Sequence, residues 1–177
     1  MSSAHDIVVV VGNPRAGSRT RQVAERLAAG LAESVSPTLV GVSVVDLAGF
    51  GGAVLERDAP EVDAALETVR NANVLIVATP VYKASYTGLL KAFLDRFNGP
   101  ALAGVAAVPL TVSAAPTHRL AADVHLRPLL VELGASAPTR AFAIEESALG
   151  DLDPVLTDWL KSEAGFVAGA LRKGADV

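Results

Sequence analysis

Cysteine is absent from this chain of 177 residues, which excludes disulfides, thiolate nucleophiles, iron–sulfur clusters and cysteine-bound zinc. Aromatic residues are scarce, at 5%, although 51% of the chain is hydrophobic. The apolar content is therefore mostly Ala, Val and Leu, which suits buried parallel strands covered by small-residue helices. No apolar run approaches the ~18–20 residues of a membrane span, despite a mean hydropathy of +0.41. The opening MSSAHD lacks the basic region and long apolar stretch of a secretion signal. Basic runs are missing as well. With a formal charge of −4 and no Lys/Arg stripe, the chain offers nothing to neutralise a nucleic-acid backbone. These absences predict a cytoplasmic protein with neither a membrane nor a nucleic-acid partner. At this length one domain is expected over 1–177, with residues 1–6 as a mobile arm that holds His5.

What is present is an alternation of short apolar segments with amphipathic ones. Ile7–Val11 reads as a buried strand stopped by Gly12. Val23, Leu27, Leu31 and Val35 then recur every four residues, predicting a helix from Ser18. Leu39–Leu47 is a second strand, followed by a turn at Gly49–Gly52, and Pro60 opens a second helix. Val74–Thr79 is the third strand, Gly88–Phe97 the third helix and Val105–Val112 the fourth strand, with Pro109 awkward inside it. A helix is expected over His118–Leu133, bulged or kinked because Pro128 has no N–H for the carbonyl of Val124. Thr139–Ile144 reads as the fifth strand, and Asp153-Pro154 as the cap and first turn of a final helix closing near Gly174. Five strands and five helices in alternation predict a parallel sheet covered on both faces, with ligands bound at the carboxyl ends of its strands.

The loop GNPRAGSRT, after the first strand, can be tested against known phosphate-binding patterns. Gly12 and Gly17 have the glycine spacing of an ATPase loop, but Ser18 replaces its lysine and Arg19 its Ser/Thr. The dinucleotide pattern fails because Pro14 stands at its second glycine. What remains is a set of hydroxyls, Ser18 and Thr20, with Arg15 and the free N–H groups of a helix start. That set suits one monophosphate, such as FMN carries. The plainer alternative is a turn in which Ser18 only caps the helix. The second loop, ATPVYKASYTGLLKAFLDRF, puts Val81, Tyr82, Lys83 and Ser85 at the mouth of the sheet. An apolar wall, an aromatic and main-chain amides there suit a flat heterocycle.

Together these loops, with PLTVSAAPTHRLAADVHLRPLL at Pro109–Leu130, resemble the NADPH-dependent FMN reductases, a flavodoxin-like family. The likeness is greatest to reductases that supply reduced flavin to alkanesulfonate monooxygenases, and it covers roughly 7–145. The resemblance implies a five-stranded parallel sheet of order 2-1-3-4-5. It implies that Arg15, Ser18, Arg19 and Thr20 hold the FMN phosphate, with Asn13 standing where the family usually has serine. Pro80, Val81, Tyr82, Lys83 and Ser85 would border the ribityl chain and ring, and Ser113, Ala114 and Ala115 the ring's pyrimidine edge. Two departures stand out: Ser113-Ala114 replaces the family's common Gly-Gly, and Val124 replaces a tyrosine of the alkanesulfonate branch.

The resemblance further implies hydride transfer from NADPH, with NADH as an alternative donor, to FMN, and no catalytic side chain. Arg119, Arg127 and Lys83 are the candidates for the 2′-phosphate of NADPH. A partner monooxygenase and a homodimer or homotetramer are also implied, with the apolar helix Leu89–Phe97 at the subunit interface. Two alternatives stay open: a quinone, azo or metal-ion reductase that retains its FMN, or a flavodoxin-type electron carrier. Other chemistries find little support in the residues. No G-x-S-x-G follows a strand, and His118 and His125, seven apart on a presumed helix, lack a third metal ligand. Asp46, Glu56, Asp58 and Glu61 read as solvated loop charge.

Overall fold

The computed structural model describes residues 5–35 and 39–174. Among them, strands and α-helices alternate as β1 (His5–Val11), α1 (Arg19–Val35), β2 (Leu39–Asp46), α2 (Pro60–Arg70) and β3 (Val74–Pro80). They continue as α3 (Gly88–Leu94), β4 (Ala106–Ser113), α4 (Arg127–Glu132), β5 (Phe142–Glu145) and α5 (Leu152–Gly174). All neighbouring strands pair in parallel, in the order β2-β1-β3-β4-β5. The parallel sheet is the one that the alternation of elements predicts, and its order is the flavodoxin-like one that the resemblance implies. The first strand starts at His5, so His5 and Asp6 belong to the sheet rather than to the expected arm. Residues 1–4 lie outside the described residues.

Period-two alternation divides the strands between two cores. Val8, Val10, Leu75 and Val77 pack beneath α2, α3 and α4, while Ile7, Val9, Ile76 and Val108 pack beneath α1 and α5. The four-residue repeat of α1 places Val23, Leu27 and Leu31 wholly in the second core, and Trp159 of α5 meets Phe142 edge-on at 5.9 Å. Full burial of each such leucine contributes about 1.5–3 kcal/mol.

Pro109 is accommodated by a gap between strands. The Ala107 N–H reaches Ser136 O at 2.7 Å, whereas β5 joins β4 only from Leu110 onward. Backbone N–H groups alternate sides along a strand, so the nitrogen of Pro109 faces the interval between Ser136 and Phe142. No ladder bond is lost there.

Three expectations about helix bounds need correction. The third helix ends at Leu94, because the N–H groups of Arg96 and Phe97 bond back to Phe93 and Leu94 in a tightened turn. Leu90, Phe93, Leu94 and Phe97 are buried within the chain, while Leu89 and Ala92 of the same helix are only partly buried. The span expected as one helix over His118–Leu133 is a 3₁₀ turn (Pro116–His118), a π-helix (Ala122–Leu126) and then α4. The bulge lies where Pro128 withholds its N–H, and the split removes the shared helical face of His118 and His125. Finally, α5 begins at Leu152 rather than being capped by Asp153, which is already inside the first turn and pairs with Arg26.

Candidate functional site

The site lies at the carboxyl ends of β1 and β3, where the strand order reverses direction. Gly12 ends β1 by donating its N–H to Ala78 O of β3 at 2.7 Å. A β-carbon on Gly12 would sit 2.7 Å from that of Leu90, so the loop can pass α3 this closely only with glycine. The loop then closes on itself through Asn13. Its Oδ1 accepts from the Arg15 N–H at 2.9 Å and its Nδ2 donates to Thr20 Oγ1 at 3.2 Å. Gly17, at φ +63°, takes the left-handed conformation that leads into α1.

These bonds decide which donors remain for a ligand. Thr20 Oγ1 and Ser18 Oγ both act as acceptors, the latter from the Arg21 N–H at 3.3 Å, so each hydroxyl keeps its proton to donate. Ser18 therefore caps α1 and remains a candidate ligand, which joins the two readings that the sequence left open. Among the described residues Arg15 has no ion-pair partner. Arg19 does have one: its Nη2 lies 2.9 Å from Glu146 Oε1.

The second loop is a two-residue hairpin. Tyr82 and Ser85 exchange backbone hydrogen bonds at 2.8 and 3.1 Å, and Lys83 and Ala84 between them have φ of 51° and 64°. Both central residues at positive φ is what a type I′ turn demands, usually met by Asn-Gly. Val81 is tied to β4 by its N–H to Val112 O at 3.0 Å. Thr87 joins the two loops. Its Oγ1 donates to Gly12 O at 2.5 Å and accepts from the Leu90 N–H at 3.1 Å, while its own N–H reaches Thr79 Oγ1 at 3.2 Å.

Between the loops lies a cavity of about 430 Å³. Of the residues expected from sequence, Asn13, Arg15, Ser18, Arg19, Thr20, Pro80 and Tyr82 line it. Val81, Lys83, Ser85, Ser113, Ala114 and Ala115 do not, although they stand at or just after the carboxyl ends of β3 and β4. Glu146 also lines the cavity, and sequence reasoning missed it because only the loops after strands one, three and four were considered. The signal was available: Glu145-Glu146 closes β5 at the same edge of the sheet. Thr87 was missed too, though a threonine directly before a helix start is a cap signal.

Two charged residues take structural roles instead. Asp46, expected to be solvated, caps the following turn through Ala48 N–H and accepts from Arg21 at 3.2 Å. Arg127 is held by Asp123 and by the carbonyls of Ala137 and Thr139, both at 2.7 Å, which removes it as a candidate for the 2′-phosphate. A larger depression of about 620 Å³ lies between α1 and the start of α5. Glu25, Asp151 and Asp153 line it against Arg26, which Asp153 already engages, so it does not suit an anion.

The chain matches the family model described as NADPH-dependent FMN reductase over residues 5–148. It is 36% identical to the NADH-dependent FMN reductase SfnF of Pseudomonas putida over 126 residues, 70% of this chain and 68% of that one. It is 32% identical to the FMN reductase (NADPH) of Escherichia coli strain K12 over 148 residues, 82% and 75% of the two chains. Among solved structures, an apo NADH:FMN oxidoreductase named EMOB superposes with a TM-score of 0.75 at 32% identity, covering 90% of both chains. An oxidoreductase from Corynebacterium diphtheriae superposes with a TM-score of 0.82 at 25% identity, covering 97% and 99%.

Proposed function

The chain belongs to the NADPH-dependent FMN reductase family, and on that premise we propose that its cavity receives the phosphate of FMN. The activity is that of an NAD(P)H:FMN oxidoreductase. The observation that carries the site assignment is the donor set. Arg15, Ser18 and Thr20 line one space at the start of α1, the two hydroxyls keep protons to donate, and the first N–H groups of a helix have no partner within the helix. Asn13 organises this set through Arg15 and Thr20, and the second N–H of its Nδ2 remains to donate.

When bound, FMN supplies the hydride-accepting centre, so the chain need not present an acid or base at the reacting carbon. Its residues bind and orient. Pro80, Val81, Tyr82, Lys83 and Ser85 border the ribityl chain and the ring. Ser113, Ala114 and Ala115 would border the ring's polar edge, where main-chain N–H groups favour developing negative charge. Tyr82, 44% exposed, stands at the mouth of the cavity and can shield the phosphate from water. Exposed Lys83, and Arg119 with its partner Glu145 at 3.2 Å, are the remaining candidates for the 2′-phosphate of NADPH.

We further assign the enzyme to the cytoplasm as a homodimer or homotetramer, handing reduced flavin to a monooxygenase. The names of the Pseudomonas relatives leave NADH open as the donor. The test is titration with FMN, then anaerobic stopped-flow reduction with NADPH and NADH compared. Flavin reduction by either nucleotide is expected. No reduction by both would overturn the assignment.

A further inference from the structure

We propose that Glu146 sets the affinity and phosphate selectivity of the flavin site by competing with the phosphate for Arg19. The inference rests on the assignment of the FMN phosphate to the cavity between the two loops. Arg19 and Glu146 are 2.9 Å apart, and both line that cavity with Arg15, Ser18 and Thr20. The charged groups on its wall are thus two guanidiniums and one carboxylate. An entering dianion meets Arg15 with no ion-pair partner among the described residues, but Arg19 already neutralised. To use Arg19, the phosphate must displace or share it, and in either arrangement it approaches the carboxylate of Glu146. Like charges in one half-buried cavity repel more strongly than in open water.

The pairing has a sequence logic. Glu145 ends β5 and Glu146 follows it, and each holds one arginine: Glu145 engages Arg119 at 3.2 Å, and Glu146 engages Arg19. The end of β5 therefore opposes the cationic groups that the first loop and the turn after β4 bring to the same edge. A flavin lacking the phosphate would escape this opposition entirely. Glu146 accordingly acts on phosphate binding through Arg19 and through its own charge.

The test is fluorescence titration of the full chain with FMN and with riboflavin, for the wild type and for Glu146→Gln, Arg19→Ala, Arg19→Ala/Glu146→Gln and Arg15→Ala. Melting of each unliganded variant verifies that it is folded. Glu146→Gln is expected to tighten FMN by about tenfold while riboflavin changes by less than about twofold. Arg19→Ala should cost about tenfold more in the Glu146→Gln background than in the wild type, because the masked arginine is then free. The proposal is overturned if Glu146→Gln leaves FMN affinity unchanged or lowers it, which would make Glu146 a bystander or a support for Arg19. It is equally overturned if riboflavin tightens as much as FMN. If Arg15→Ala weakens FMN alone while Glu146→Gln does nothing, only this inference falls. If the wild type binds FMN and riboflavin alike and Arg15→Ala changes neither, the phosphate assignment falls and carries the inference with it.

Discussion

Thr87 holds together two loops that the chain brings to the site from distant points. Its hydroxyl caps α3 and donates to Gly12 O, and its N–H reaches Thr79, all with the residue buried. Thr87→Ala removes a helix cap and leaves a buried carbonyl without its donor. The expected loss is about 2–4 kcal/mol, the sum of a cap and an unsatisfied acceptor. Urea denaturation should show a lower midpoint at unchanged slope, and Thr87→Ser should recover most of it. Arg15 calls for a different measurement, since its exposed side chain has no ion-pair partner among the described residues. Arg15→Ala should leave stability nearly untouched but weaken FMN by about 1.5–3 kcal/mol, the range for a charged hydrogen-bond partner. A change of only a few tenths in a fluorescence titration would show that the phosphate lies elsewhere.

The hairpin of Tyr82–Ser85 is the element whose sequence fits its backbone least. Lys83 and Ala84 occupy the left-handed region, where a β-carbon is disfavoured by about 1–2 kcal/mol per residue. Ala84→Gly should stabilise the fold by about 0.5–1 kcal/mol in chemical denaturation, part of the relief being offset by a freer unfolded chain. Strain of this kind persists where the surroundings over-determine the backbone, and the place is a loop assigned to the flavin. No rule of turn composition would read Lys-Ala as a type I′ turn, so this geometry was not legible. Much else was. The β-branched runs located β1, β3 and β4 to within two residues, because a strand buried on both faces must be apolar at nearly every position, whereas β5, expected from Thr139, begins only at Phe142. Pro128 likewise announced the π-helix, because a missing N–H leaves one carbonyl to be bridged differently. The end of α3 was hidden, because Phe97 stays buried whether or not the helix continues. The Arg19–Glu146 pair was hidden as well, because the start of α1 and the turn after β5 are far apart in sequence and only the folded sheet brings them together.

On the scale of the whole molecule, the two cores lie on opposite faces of the sheet, and the site lies on neither. It is assembled from the loop after β1, the end of β3 and the hairpin after it, Val112 of β4 and the turn after β5, and these come together only once all those strands have paired. An unfolded chain therefore has no site, and ligand binding adds directly to global stability. At a free FMN concentration of a hundred times Kd the expected gain is about 2.7 kcal/mol, or about 5–11 °C in Tm for a chain of this size. Riboflavin at the same concentration should give a much smaller shift, because it lacks the group that Arg15, Ser18 and Thr20 are assigned to hold. The contrast is read by thermal melts with each flavin in turn. Equal shifts would mean that the ring, not the phosphate, organises the site. That result would move the functional weight from the loop after β1 to the hairpin after β3.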